Sequence, residues 1–320
     1  MLNANIIHFF IFPGGLFAIF LGLILISIER ILVARFQGRV GPVFYQNIID
    51  IIKLFNKETL IPKDAKDFVF KFAPLFGFSG MLVLVYFLPI PGVYDGVKGN
   101  YDLIILIYFM ALPAISHILG GGASSSPYAA ISVSRELKLM LVYEIVFTII
   151  GFTLAVYIGD GKGEFSLMEI IKYQQQNGYF LFDWKLWPAF IAFLIFVLAT
   201  LEVPPFEVAH HNSADIMEGY LMEYSGAPLA LFEITDALKI IVLSIVFQIF
   251  FFPSVIGGDI VINLIWFLVK TMFLVLFISL AHVCLASFRA DQEFKFLIKV
   301  PVFLSIVSLI LVTLSIKGLI

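Results

Sequence analysis

Eight apolar stretches, near residues 6–29, 72–90, 102–121, 133–158, 187–203, 230–252, 260–287 and 297–316, alternate with polar connections along the chain. Each approaches the roughly 20 apolar residues that a helix needs to cross a bilayer core. The pattern therefore predicts an all-α integral membrane protein with about eight transmembrane helices, read as a single polytopic domain over 1–320. One segment departs from it. VFYQNIIDIIKLFNKE (43–58) sets Phe44, Ile48, Ile51, Ile52 and Phe55 on one helical stripe, with Gln46, Asp50, Lys53 and Lys57 off it. A helix this short and this charged lies along a membrane surface rather than across it. The first apolar stretch has no basic start and runs into Glu29-Arg30 without a small-residue cleavage site, so it is expected to remain as a span and not to be removed as a signal peptide.

Composition agrees with the pattern. The 320 residues are 61% hydrophobic and 13% charged, with mean hydropathy +1.03, which excludes a soluble domain of this length. Net charge is -3 with no basic tract interleaved with aromatics, which argues against a nucleic-acid partner. Charge placement then orients the chain. Arg30, Arg35, Arg39, Lys53, Lys57, Lys63, Lys66 and Lys71 crowd the 30–71 connection, and Arg135, Lys138, Arg289, Lys295 and Lys299 flank two others on the same side. The positive-inside rule puts these in the cytoplasm and both termini outside a multi-pass cell membrane protein. One cytoplasmic connection breaks the trend: 202–229 lacks Lys and Arg but holds Glu202, Glu207, His210, His211, Asp215, Glu218 and Glu223.

The chemistry that stands out is acid in apolar surroundings. An ionised carboxylate inside a bilayer costs at least about 2.5 kcal/mol, so buried acids mark an ion or proton route unless a partner neutralises them. Glu136 and Glu144 lie two turns apart on one face of the fourth span, and Glu233, Asp236 and Lys239 follow one another at i, i+3 on the sixth. Lys239 is placed to neutralise one acid and tune the other. Arg135 and Lys138 read either as part of this cluster or as snorkelling interface charges. Lys270, alone in the seventh span, suggests an acid on a neighbouring subunit. His117 and His282 read as packing residues near span ends. His210 and His211 are adjacent, so their side chains diverge, and with no third ligand at a recognisable spacing they suit proton entry better than metal binding. The single cysteine, Cys284, excludes an internal disulfide and an iron-sulfur cluster held by this chain alone.

GRVGPVFYQNIIDIIKLFNKE, the pair Tyr143-Glu144 and LMEYSGAPLALFEITDALK, three segments in order, together resemble the quinone-chamber membrane subunit of respiratory complex I and its hydrogenase relatives, whose mitochondrial form is NADH dehydrogenase subunit one. Gly41-Pro42 reaches Gln46 without the longer insert of complex I chains, and Lys239 follows Asp236; both features resemble the energy-converting membrane-bound nickel-iron hydrogenases and the related archaeal sulfane reductase. LEVPPFEVAHHNSADIMEG departs from the complex I pattern. Pro205-Phe206-Glu207 matches its Pro-Phe-Asp core, but the preceding Arg is missing, and of the following acids only Asp215 is retained, with His210, His211 and Ser213 in the place of others. That departure puts quinone reduction at this loop in doubt.

The resemblance implies a non-catalytic membrane anchor and coupling subunit of a multisubunit oxidoreductase, linking electron transfer in a hydrophilic arm to proton or sodium translocation. An energy-converting hydrogenase is the first reading. The alternatives are a sulfane reductase, a quinone-reducing complex, or a stand-alone ion-coupled permease, which the lack of internal repeats disfavours. It implies relay roles for Glu136, Glu144, Glu202, Glu207, Asp215, Glu223, Asp236 and Lys239, and a docking surface for the redox arm at Arg35, Arg39, Gln46 and Asp50. No cofactor is expected in this chain; iron-sulfur clusters and a nickel-iron site would belong to partner subunits, and antiporter-like membrane subunits would complete the complex.

Overall fold

The computed structural model describes residues 10–12, 14–97, 99–207, 219–255 and 259–318. In chain order the helices are α1 (Gly15–Phe36), α2 (Gln46–Phe55), α3 (Asp67–Phe87), α4 (Asp102–Met110), α5 (Leu112–Ala123), α6 (Pro127–Ile158), α7 (Leu167–Asn177), α8 (Trp187–Thr200), α9 (Gly226–Phe251), α10 (Ile260–Cys284), α11 (Ala290–Leu297) and α12 (Phe303–Ile316). Seven stretches among the described residues are long and apolar enough to cross a membrane, counting α4–α5 and α11–α12 as one each, and α8 is a shorter apolar eighth. Side chains such as Leu141 (55% exposed) and Phe273 (63%) leave an apolar outer surface that only lipid or a partner can cover. The chain is a multi-pass membrane protein.

α9 is apolar on every side and almost wholly buried, so it is the centre about which the others pack. α1, α3 and α2 contact it most extensively. Close approach to α1 depends on Gly22, where a Cβ would stand 2.8 Å from the Ala237 carbonyl carbon.

Several boundaries differ from those the hydropathy predicts, in places because a polar group finds a partner inside the bundle. α1 continues past Glu29-Arg30 because His282 Nδ1 lies 3.0 Å from Glu29 Oε1 and Arg30 Nη1 donates to Asn47 Oδ1 at 2.6 Å. The third span is broken at Ala111, before Pro113 in the first turn of α5. α8 has 14 residues, about 21 Å at 1.5 Å per residue, too short to cross alone. The chain that follows it, Glu202–Phe206, is non-helical yet buried. Irregular backbone at membrane depth is tolerated only where protein surrounds it. α7 is not expected from hydropathy; Leu167, Ile170, Ile171 and Gln174 make its buried stripe, and Gln174 Nε2 donates to the Ile249 carbonyl at 2.8 Å.

Arg135 is not a snorkelling charge. Its Nε donates to Glu293 Oε2 at 2.8 Å and its Nη2 to Glu293 Oε1 and, at 3.2 Å, to the Phe288 carbonyl, tying α6 to α11. Lys270, for which the sequence named no partner in this chain, donates its ammonium to the carbonyls of Phe252 (3.3 Å) and Ser254 (3.2 Å) beyond the end of α9.

The amphipathic segment forms α2, but its stripe is divided. Ile51 is buried against the bundle, whereas Phe44, Ile52 and Phe55 are exposed. Ile51→Asp is therefore expected to detach α2 from α1 and α9, losing about 1.5–3 kcal/mol of burial before any charge penalty. A cysteine at Leu54 in that background should react faster with a soluble thiol reagent, while Ile52→Asp should leave its rate unchanged; equal acceleration by both would mean that α2 is held by lipid alone.

Candidate functional site

Two residues of α9 begin the site. Asp236 and Lys239 sit one turn apart, and the Lys239 ammonium lies 2.9 Å from Asp236 Oδ1. The buried chain after α8 brings Glu202 to the same ammonium, at 3.9 Å, beside the Thr200 carbonyl at 3.5 Å. Glu202 has φ +53°, a left-handed conformation that a glutamate adopts at a cost and that clusters at functional sites.

Tyr220, on the short 3-10 turn Gly219–Leu221, donates its hydroxyl to both Glu202 oxygens, at 2.8 and 2.9 Å. From α5, the wholly buried His117 imidazole stacks on the Tyr220 ring at 4.6 Å. Its Nδ1 lies 3.7 Å from Glu202 and its Nε2 3.8 Å from Asp236. Both distances exceed a hydrogen bond, so a displacement of less than about 1 Å decides which carboxylate the imidazole engages. From α6, buried Glu136 accepts from the Tyr143 hydroxyl at 3.2 Å and lies within electrostatic reach of Glu202, Lys239 and Asp236.

Three carboxyls, one ammonium and one imidazole thus share an interior in which Glu136, Glu202, His117 and Lys239 are each at most 5% exposed. Were all three acids ionised, the ammonium could balance only one of them, so the cluster has reason to hold a proton and a histidine with which to pass it. Burial and then the Glu202 carboxylate push the Tyr220 phenol well above its ordinary value. Tyr220 therefore stays protonated and serves as a donor.

Of the relay residues expected from the sequence, the structure brings Glu136, Glu202, Asp236 and Lys239 together. Glu144 is not in contact with them; it is half-buried farther along α6, with Oε1 making no hydrogen bond among the described residues. Glu207 lies apart and accepts from Ser287 Oγ at 2.6 Å. Glu223 is half-buried outside the cluster. Asp215, His210 and His211 lie outside the described residues. Arg35 is exposed in the last turn of α1 and Arg39 just beyond it, and Gln46 donates to Asp50 at 3.0 Å on α2. His117, Tyr220 and His282 were not expected to engage acids. Their one sequence signal is a polar ring in or beside an apolar stretch, and that does not name a partner. Among the described residues, no group of three or more His, Cys, Asp or Glu side chains could hold a metal ion.

Between α1, α2 and α9 opens a cleft of about 360 Å³, with Leu23, Ile26 and Ile51 on its apolar wall and Arg30, Lys53 and Glu233 among its charged groups. It lies on the same side of the bundle as Glu202, because α1 ends, and α6 and α9 begin, on that side.

The profile of the family described as NADH dehydrogenase matches residues 9–313. The chain is 29% identical over 295 residues to the H-type subunit of NADH-quinone oxidoreductase from Methylococcus capsulatus, covering 89% of this chain and 90% of that one. It is 30% identical over 304 residues to the counterpart from Helicobacter pylori, covering 89% of each. Among solved structures it is similar to a chain of the membrane-bound sulfane sulfur reductase, an archaeal respiratory membrane complex, with a TM-score of 0.81, 25% identity, and coverage of 92% of this chain and 96% of that one.

Proposed function

The chain belongs to the NADH dehydrogenase family, as an H-type component of a complex I-like membrane complex, and from that premise we propose that it anchors a hydrophilic redox arm and begins the ion path that couples electron transfer to proton or sodium translocation. The observation that carries this reading is the buried cluster of Glu136, Glu202, Asp236, Lys239 and His117. Its excess of acid over base favours a bound proton, and His117 stands between two acceptors. From Glu136 the Tyr143 hydroxyl leads along α6 toward Glu144, eight residues on, about 12 Å at 1.5 Å per residue. The exposed Arg35 and Arg39, with Gln46 and Asp50 on α2, form the surface on which the redox arm docks. The clusters and any nickel-iron site belong to that arm, and this chain carries no redox cofactor.

The short Gly41-Pro42 to Gln46 spacing and Lys239 support an energy-converting hydrogenase as the parent complex. The likeness to a chain of the sulfane sulfur reductase complex favours that relative as the second reading. The arm-bearing complex, purified whole and reconstituted into vesicles, tests the coupling role. Glu136→Gln keeps the shape and the bond from Tyr143 but removes the exchangeable proton. Ion translocation is expected to fall to background while the arm still reduces an artificial acceptor. Translocation at the normal ratio would make Glu136 a structural acid and remove the support for the path.

A further inference from the structure

The Glu202 cluster and the cleft beside α2 occupy one side of the bundle; a second cavity, of about 370 Å³, opens on the other, where the ends of α6 and α7 meet the short turn Phe180–Phe182. Tyr157, Tyr173, Tyr179, Phe180, Phe182 and Trp184 line it. Tyr157 meets Phe180 and Tyr173 edge-on, at 5.4 and 5.9 Å between centroids, contacts that fix the orientation of the rings.

Asp183 lines the same cavity. It accepts from the Tyr157 hydroxyl at 2.6 Å and from the Lys185 amide at 3.1 Å, which leaves about two of its roughly four lone-pair directions unused. Neither lysine of the flanking elements neutralises it, because the Lys185 ammonium donates to Ser315 Oγ at 2.6 Å and Lys172 pairs with Glu169 at 2.6 Å. Burial first, then the Asp160 and Asp183 carboxylates, hold the Tyr173 phenol above its ordinary value, a sign that the field here is negative. An aromatic belt at a membrane boundary accounts for rings. It does not account for a carboxylate set among them that pairs with no cation among the described residues.

We infer that this cavity binds an organic ammonium group, seated against the ring faces with Asp183 as its counter-charge. The chemistry is shared by a free amine, such as a polyamine, and by the amine headgroup of a lipid. The two sources are separated by experiment. In one arm the full-length chain in detergent micelles is titrated with tetramethylammonium chloride and with spermidine, against sodium chloride at matched ionic strength, while tryptophan fluorescence is followed, since Trp184 lines the cavity. In the other the chain is held in phosphatidylglycerol nanodiscs with and without phosphatidylethanolamine, and retained lipid is read by native mass spectrometry.

A saturable response that sodium does not reproduce is expected, weakened about 10- to 100-fold in Asp183→Asn, as for loss of a charge-assisted contact. Tyr157→Phe keeps the ring, releases a lone pair of Asp183 and should bind as well as the parent, which separates lost charge from a disturbed loop. Phe182→Leu removes a 74% exposed ring, spares the fold, and should weaken binding by a smaller factor. A response in the soluble arm assigns the site to a free amine; retention of phosphatidylethanolamine without it assigns the site to a lipid. Equal responses to ammonium and sodium, unchanged binding in Asp183→Asn, or no saturable response in either arm would overturn the inference.

Discussion

Lys239→Met lowers the thermal midpoint of the purified chain steeply. Methionine retains most of the length and apolar contact of the lysine stem, so the change isolates the ammonium that lies 2.9 Å from Asp236 and 3.9 Å from Glu202. Removing one partner of a buried ion pair costs about 3–5 kcal/mol, because the other charge stays behind in a poor solvent. Adding Glu202→Gln to Lys239→Met should recover part of the deficit, since one of the two unpaired carboxylates is then removed as well. A double variant no more stable than Lys239→Met alone would assign the role of Lys239 to packing.

Arg135→Met produces a loss of similar size by another route. Glu293 is completely buried, and the guanidinium is its ion partner, through two donors. The unpaired carboxylate should cost roughly 3 kcal/mol, and its release should free the start of α11 from α6. Arg135→Lys is expected to recover only part, because an ammonium cannot present the same planar fork. Arg135→Met combined with Glu293→Met should be more stable than Arg135→Met alone. Limited proteolysis near 286–292 together with the thermal midpoint reads both effects, and a double variant no better than the single one would mean that the Phe288 carbonyl contact outweighs the ion pair.

What could be read in the sequence divides along the range of the interaction. The spans were legible because hydropathy is local, and α2 because its stripe is local; Asp236 and Lys239 were legible as a pair because i, i+3 spacing fixes them on one face. Boundaries failed where a distant residue satisfied a charge, as His282 does for Glu29 at the point where the polar pair Glu29-Arg30 looked like an end. The break at Ala111, the shortness of α8 and the whole of α7 had no counterpart in mean hydropathy, which averages over turns. Within the site, the acids could be suspected one by one, but the positions of His117 between Glu202 and Asp236 and of Tyr220 on Glu202 arise from packing of α5, α9 and the chain after α8. The short motif that drew attention to Glu144 contains no information on whether its carboxyl reaches the others, and it does not contact them.

The composition of the cluster also bears on how the chain is made. Its acid on α6 and its base on α9 are separated by about 100 residues of synthesis, roughly 5–20 s at ordinary elongation rates. Glu136 therefore enters the bilayer well before the ammonium of Lys239 exists, and Glu202 emerges in between. Over that interval the nascent chain can carry these carboxyls at membrane depth only as neutral acids, or near the protein-conducting channel, where water still reaches them. α9, with apolar sides all round and the one lysine of the cluster, brings the centre of the bundle and its missing charge in a single insertion event. A ribosome stalled before α9 would thus hold a set of helices whose cluster acids still lack their ammonium, a substrate that membrane quality control can recognise by chemistry alone.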